Sequence, residues 1–400
     1  MNAKQEMNIV PTEEELLERA RALIPMLRAA ADATEKARSV PKETIDAFKE
    51  AGFFKMLQPA AWGGWQMNPG VFYKVLMELG RGCPSSAWNM MILGVHQWEF
   101  GLFDARAGAD MWSTDPGVLV ASSYAPFGQA KKVAGGWLMS GQWKTSSGCD
   151  HGNGGAILGA LSVDEQGNKL DHRSFLVSRE SYDIIDDWHV VGLAGTGSKS
   201  LRLKGEVFVP DYRSHSVVDY SKTERPAHYL YPFNQIFFGA VSAVIIGFAR
   251  GMIDLYIEQM KPRQNIYGPA GSAAHNPYVK DKLGNAALLV RSAQARLMQI
   301  MAESTPYVEK GQLVPLDVRV SHFAESQRCG RDCLEAATML WKKLSARAIS
   351  LDNPVQLWMR SVLVAANHTT QNEDDTTGML GGYLLGQGVP PLVFNLPDMP

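Results

Sequence analysis

Cysteine is scarce, four residues in 400: Cys83 and Cys149 stand alone, and Cys329 and Cys333 are four apart. That spacing puts the last two on one helix face. No His or third Cys stands at ligand spacing, so buried apolar thiols are expected rather than a metal site or a disulfide framework. An excess of charge is also missing: 39 Lys and Arg against 41 Asp and Glu give a net charge of -2, which offers no footprint for nucleic acid or an anionic membrane. The longest apolar run, residues 236–249, is broken by Gly239, Ser242 and Gly247. It falls short of the roughly 20 residues a bilayer needs, so no membrane span is expected. Glu6, Glu13, Glu14 and Glu15 follow no apolar segment, which argues against a signal peptide and for a reducing, cytoplasmic setting. No phosphate loop joins a strand to a helix, and neither His-Glu-x-x-His nor G-x-S-x-G occurs.

What is present is an ordinary globular composition, 46% apolar and 20% charged, with ten Trp, 18 Met and 15 Phe. The length suggests two or three packed units. Helical spacing predicts helices over 13–33, with a kink or break at Pro25, then from Pro41 to Gly52, over 71–79, and over 87–100 behind a Ser85 or Ser86 cap. Between 118 and 209 the pattern changes to short alternating runs punctuated by Gly, with a hairpin at Gly135-Gly136, which reads as a compact antiparallel β-domain. Long helices return over 233–260, 278–309, 317–345 and 354–368, joined early by a segment broken at Pro262, Gly268, Pro269 and Gly271. Apolar residues on several of their faces suggest a bundle and subunit contact.

Four polar features could carry chemistry. Residues 143–151 (WKTSSGCDH) set small hydroxyls beside Gly, where a backbone can approach a flat ligand. A Ser-His-Asp hydrolase reading of that run fails, because triad members in one short loop rarely meet the geometry. Residues 121–126 (ASSYAP) place Ser and an aromatic at the end of a β-run. His96 lies on an otherwise apolar helix, where a lone His is more often a satisfied core residue than a catalyst. His368 ends the last helical pattern, where the helix dipole favours it. The Gly-rich 192–198 segment reads as a turn between strands rather than a nucleotide loop.

Together with the α–β–α order, six segments resemble the acyl-CoA dehydrogenase fold family: 53–64 (FFKMLQPAAWGG), 94–98 (GVHQW), 122–126 (SSYAP), 143–151, 188–198 (WHVVGLAGTGS) and 207–210 (VFVP). Within it the chain is similar to the oxygenase component of two-component flavin-dependent monooxygenases, the group holding the secosteroid and 4-hydroxyphenylacetate hydroxylases and indole oxygenases. The resemblance implies an α+β fold: an N-terminal α-helical domain (1–117), a central antiparallel β-domain (118–224) and a C-terminal four-helix bundle (225–400). It implies FAD or FMN bound as reduced flavin, O2 as co-substrate, a separate NAD(P)H-dependent flavin reductase and a homotetramer. The implied chemistry is hydroxylation or epoxidation of a small phenol- or indole-type aromatic through a flavin C4a-hydroperoxide.

The resemblance also implies site roles. Ser122, Tyr124 and Pro126 would line one side of the isoalloxazine, with Trp143, Ser146 and Ser147 at its other edge. Ser147 would hydrogen-bond near flavin N5, while His96, Ser122 and Trp98 would hold the substrate. Arg263 would reach flavin phosphate or substrate, across a subunit boundary in one arrangement, or remain a solvated helix-end charge. His368 would act as base toward a phenol or indole N–H, with Tyr383 the rival for that place. The alternative is a true acyl-CoA dehydrogenase using Glu373 as base, although residues 372–375 read as an exposed acidic loop. A third class is a helical scaffold without cofactor, against which both Ser clusters argue.

Overall fold

Thr12 and Glu15 form a capping box that starts α1 (Glu13–Ala37) of this computed structural model, which describes residues 10–217, 225–264 and 271–390. Pro25 lies inside α1 without ending it, so the break that the sequence allowed does not occur. Leu16, Leu17, Ala20, Leu27 and Ala31 bury one face, and that packing outweighs the backbone bond a proline removes. Then come α2 (Lys42–Glu50), α3 (Pro69–Leu79), α4 (Pro84–Glu99) and α5 (Ala105–Trp112). No serine caps α4: Cys83 precedes it without a side-chain bond, and Pro84 takes the first helical position, where its missing N–H is no loss.

The β-region opens with β1 (Val120–Val133) and β2 (Gly136–Ser140), a hairpin across Gly135-Gly136 as expected. It continues through β3 (Gln142–Ser146), β4 (Gly155–Val163), β5 (Lys169–Ser178), β6 (Tyr182–Ile185), β7 (Lys199–Leu203), β8 (Val207–Pro210) and β9 (Ser214–Ser216). Six strands order as β8-β2-β1-β4-β5-β9 and three as β3-β7-β6. One pair departs from the antiparallel expectation. β1 and β4 run parallel, because β3 leaves for the second sheet and the chain returns on the other side of β1. Trp137, Trp143, Phe175, Tyr182 and Leu201 belong to the core of this region.

The β1–β4 register breaks once. Ser123 faces Leu158 and Gly128 faces Ala160, so residues 124–127 loop outward over Gly159. Only glycine fits there: a Cβ on residue 159 would stand 2.0 Å from the Tyr124 carbonyl oxygen.

Helices then resume with α6 (Phe233–Met260), α7 (Pro277–Glu309), α8 (Leu316–Leu344), α9 (Pro354–Ala366) and α10 (Glu373–Leu384). The 236–249 run is the middle of α6, whose 28 residues are long and apolar enough to cross a membrane by length and composition. Length therefore does not exclude a span, contrary to the expectation drawn from the shorter apolar run. The helix is instead mostly buried, packed against α3, α4, α7, α8 and α9. Its approach to the end of α3 is so close that a Cβ on Gly80 would stand 2.9 Å from the Gly247 backbone. Emptying one fully buried position such as Phe248 would destabilise the fold by about 3–5 kcal/mol.

Residues 372–375 are not a free acidic loop. Glu373 opens α10, and its carboxylate pairs with Arg328 and Arg331 at 2.9 Å each. The expected boundary at 117/118 falls between α5 and β1. The boundary at 224/225, and Gly268 and Pro269 of the connecting segment, involve residues outside those described.

Candidate active site

A cavity of about 900 Å³ opens where α4, the outward loop of β1, the 193–198 turn, the start of α6 and α9 converge. Trp88, Met91 and Ile92 come from α4, Tyr124, Pro126 and Phe127 from β1, Phe233, Phe237 and Val241 from α6, and Leu363 and Val364 from α9. None of the described lining residues is Asp or Glu. The Tyr124 ring meets Phe233 and Phe237 edge-on at 5.6 and 5.2 Å. Its hydroxyl points away, donating to the fully buried Glu99, which His215 Nε2 contacts at 2.8 Å on the other side. Burial, then the Glu99 charge, pushes the Tyr124 phenol well above its usual range. His172 donates from Nε2 to the Tyr124 carbonyl at 3.1 Å and steadies the loop.

Hydroxyls gather at one edge. Ser147 Oγ accepts from Trp88 Nε1 at 3.0 Å and lies 2.7 Å from Ser198 Oγ. Ser198 Oγ lies 2.7 Å from Thr196 Oγ1, which donates to the Leu193 carbonyl at 2.7 Å. Two contacts fix this edge. The Gly148 N–H donates to the Thr196 carbonyl at 3.0 Å, and Glu35 of α1 accepts from the N–H groups of Ala194 and Gly195 at 3.3 and 3.1 Å.

Two imidazoles present opposite faces. His96 Nδ1 lies 2.8 Å from the Val120 carbonyl, which can only accept, so the proton sits on Nδ1. Its Nε2 lone pair is buried with no partner among the described residues, behind Tyr124 and Phe237, whose rings lie 6.0 and 6.2 Å away. Burial lowers its pKa, against the pull of Glu99, and keeps it neutral. His368 lines the cavity, edge-on to Trp88 at 5.6 Å. Its Nδ1 accepts from the Thr370 backbone N–H at 3.3 Å and lies 2.9 Å from the Thr370 hydroxyl. The neutral ring therefore carries its proton on Nε2, and burial pushes the pKa down to about 4. In this arrangement the Nδ1 lone pair is committed to Thr370 and Nε2 is left as a donor, which speaks against the expected base.

Of the sequence-derived candidates, Ser122, Tyr124, Pro126, Ser147 and His368 meet at the cavity. His96 stands directly behind its wall. Trp143 does not line it: the indole turns into the β-core and donates to the Gly159 carbonyl at 2.7 Å. Ser146 is fully buried, and its hydroxyl has no partner among the described residues. Trp98 is fully buried and donates to the His228 carbonyl at 3.2 Å. Arg263 follows α6, about 39 Å along the helix from Phe237, and its guanidinium lies against the Leu344 carbonyl. Tyr383 sits on α10 and is not among the lining residues, whereas His368 is. Sequence reasoning missed Trp88, Thr196, Ser198 and Phe237. The 192–198 turn is the expected turn between strands, yet it also delivers two hydroxyls.

Comparison with known proteins now places the chain. The acyl-CoA dehydrogenase N-terminal domain family matches residues 11–101 and the acyl-CoA dehydrogenase C-terminal domain family matches residues 240–373. The chain is 33% identical over 372 residues to the flavin-dependent monooxygenase oxygenase subunit HsaA of Rhodococcus jostii, covering 91% of this chain and 97% of that protein. It is 27% identical over 379 residues to the p-hydroxyphenylacetate 3-hydroxylase oxygenase component of Acinetobacter baumannii, covering 93% and 89%. The crystal structure of 3-HSA hydroxylase from Rhodococcus sp. RHA1 superposes with a TM-score of 0.90 at 32% identity, covering 95% of this chain and 99% of that one. The chain belongs to the acyl-CoA dehydrogenase fold family. Within that fold it is an oxygenase component of the two-component flavin-dependent monooxygenases, enzymes that use reduced flavin and O2.

Proposed function

We propose that this oxygenase inserts one oxygen atom into a small neutral aromatic of phenol or indole type, using reduced FAD or FMN delivered by a separate NAD(P)H-dependent reductase. The observation that carries the reading is a mostly apolar cavity whose described lining has hydroxyls and imidazole but no carboxylate. Dehydrogenation of an acyl-CoA needs a carboxylate at the α-proton, and Glu373 is held by two arginines instead.

The donor set fits a flavin ring. Flat walls at Trp88, Tyr124 and Pro126 suit a planar heterocycle, and Ser147 offers a hydroxyl for its N5 edge. Bound reduced flavin supplies the two electrons that, with O2, place one oxygen atom on the substrate and leave the other as water. The chain positions and dries. Met91, Ile92, Phe237 and Val241 exclude water. The unpartnered Nε2 of His96 stands one layer behind Tyr124 and Phe237, and it meets a substrate O–H or N–H only where those two rings part. His368 donates its Nε2–H to a polar edge of ring or substrate. Arg263 acts toward a neighbouring subunit rather than in its own chain's cavity. A homotetramer in the cytoplasm completes the reading, in keeping with exposed Tyr278 and Leu288 on α7 and four buried free thiols.

The test is a stopped-flow one. The protein with reduced flavin is mixed with oxygenated buffer, first alone and then with phenols and indoles. A transient absorbance unlike reduced or oxidised flavin, whose decay an aromatic accelerates, is expected. Direct return to oxidised flavin, with bleaching of the oxidised protein by an acyl-CoA, would move the chain to the dehydrogenase branch.

A further inference from the structure

We propose that Thr196 and Ser198 set the direction of the Ser147 hydroxyl, and that this direction makes the site favour reduced over oxidised flavin; the inference rests on the flavin reading above. The proton positions follow from the partners. The Leu193 carbonyl can only accept, so Thr196 commits its one hydroxyl proton there, at 2.7 Å. Ser198 Oγ, 2.7 Å from Thr196 Oγ1, must then donate to Thr196. Ser147 Oγ, 2.7 Å from Ser198 Oγ, must in turn donate to Ser198. Trp88 Nε1, which can only donate, occupies one lone pair of Ser147 at 3.0 Å. Ser147 lines the cavity and is left with a lone pair to offer there, and no proton. Ser147, Thr196 and Ser198 are all buried, so bulk water does not reset the chain.

Flavin N5 carries hydrogen in the reduced ring and only a lone pair in the oxidised ring. A reduced ring extends the chain without a gap: N5–H to Ser147, Ser147 to Ser198, Ser198 to Thr196, Thr196 to Leu193. An oxidised ring sets lone pair against lone pair. For Ser147 to donate to it, Ser198 and Thr196 must turn as well, and Thr196 must release the Leu193 carbonyl. That carbonyl keeps the Trp188 indole N–H at 3.1 Å and the Thr196 backbone N–H at 3.2 Å, so reversal is feasible. In either direction the oxidised complex holds one hydrogen bond fewer, a difference of roughly tenfold in affinity. With valine at 196 the anchor is gone. Both directions then hold equal numbers of bonds and the preference vanishes.

The experiment titrates the full-length protein with oxidised flavin, and anaerobically with reduced flavin, for wild type, Thr196→Val and Thr196→Ser. Wild type is expected to hold the reduced form more tightly. Thr196→Val is expected to cut the reduced-to-oxidised affinity ratio roughly tenfold, which lowers the two-electron midpoint potential of the bound flavin by about 30 mV. Thr196→Ser keeps the hydroxyl and is expected to keep the ratio. An unchanged ratio in Thr196→Val, or a wild type without preference, overturns the proposal and leaves the flavin site standing. A wild type that takes up neither form overturns the flavin reading itself. Should Thr196→Val fail to fold, Ser198→Ala breaks the same chain one link nearer Ser147 and carries the same expectation and the same refutation.

Discussion

Two histidines of opposite tautomer, His368 on the cavity wall and His96 one layer behind it, can be read by single-residue changes. His96→Leu removes the acceptor while keeping a similar volume, and KM for a hydroxylated or N–H aromatic is expected to rise about 10- to 100-fold. The His96 pKa lies below its usual 6.5, so its lone pair is available throughout neutral pH and is lost only as pH falls through the lowered value. Substrate affinity is therefore expected to stay flat from pH 8 to about 6.5 and to weaken below it in equilibrium titrations. Ser147→Ala is expected to uncouple the enzyme, releasing more hydrogen peroxide per flavin consumed; unchanged coupling in a peroxidase-linked assay would remove Ser147 from its role. Ser122, Tyr124, Pro126 and Ser147 were legible because small hydroxyls, a proline and a strand end cluster in sequence, and His368 because it ends a helical pattern. Trp98 and Trp143 were misplaced for a physical reason. Every residue of α4 except Ile92 is buried, so its pattern cannot say which face meets the cavity. On β3, Trp143 is buried between exposed Gln142 and Lys144, so the alternation gives an inward indole but not whether inward means the β-core or the cavity.

The outward loop of β1 is the element that makes room for a ligand. Gly159→Ala would press a methyl against the Tyr124 carbonyl, 2.0 Å from the ideal Cβ position. A loss of about 1–3 kcal/mol in stability is expected with weaker flavin binding, read by thermal melts and by titration. Elements themselves were largely legible. The hairpin at Gly135-Gly136 and the helix α6 fall where turn chemistry and helical spacing put them. The parallel pairing of β1 with β4 was not legible, because local alternation records a strand and not its neighbour. Nor was the continuity of α1 through Pro25, since tertiary packing supplied what local propensity withheld. Glu373 looked exposed because its partners, Arg328 and Arg331, lie more than 40 residues away in sequence.

Across the whole molecule, buried imidazoles set the response to acid. Burial lowers the pKa of both His228 and His368 to about 4. Between that value and the unfolded value near 6.5, the unfolded chain binds more protons than the folded one, so stability falls as pH falls. Each such side chain contributes a slope of up to about 1.4 kcal/mol per pH unit in that window. His228→Asn is expected to flatten the decline in melting temperature between pH 6.5 and 4.5, measured by scanning calorimetry; an unaltered slope would show that His228 is not buried neutral.

The central helix α6 has a consequence for how the chain is made. Helices α3 and α4 rest on α6, yet more than 130 residues separate the end of α4 from its start. A nascent chain on the ribosome therefore exposes the N-terminal helices, with their Phe and Trp side chains uncovered, until α6 emerges. The three-part architecture is then not three units of folding. Residues 1–117 expressed alone are expected to give no cooperative melt and to associate, whereas mixing them with the remaining chain restores a single transition. The same helix floors the cavity with Phe233, Phe237 and Val241. Biosynthesis thus closes the core and shapes the substrate chamber in one late event, and no competent site exists on a truncated translation product.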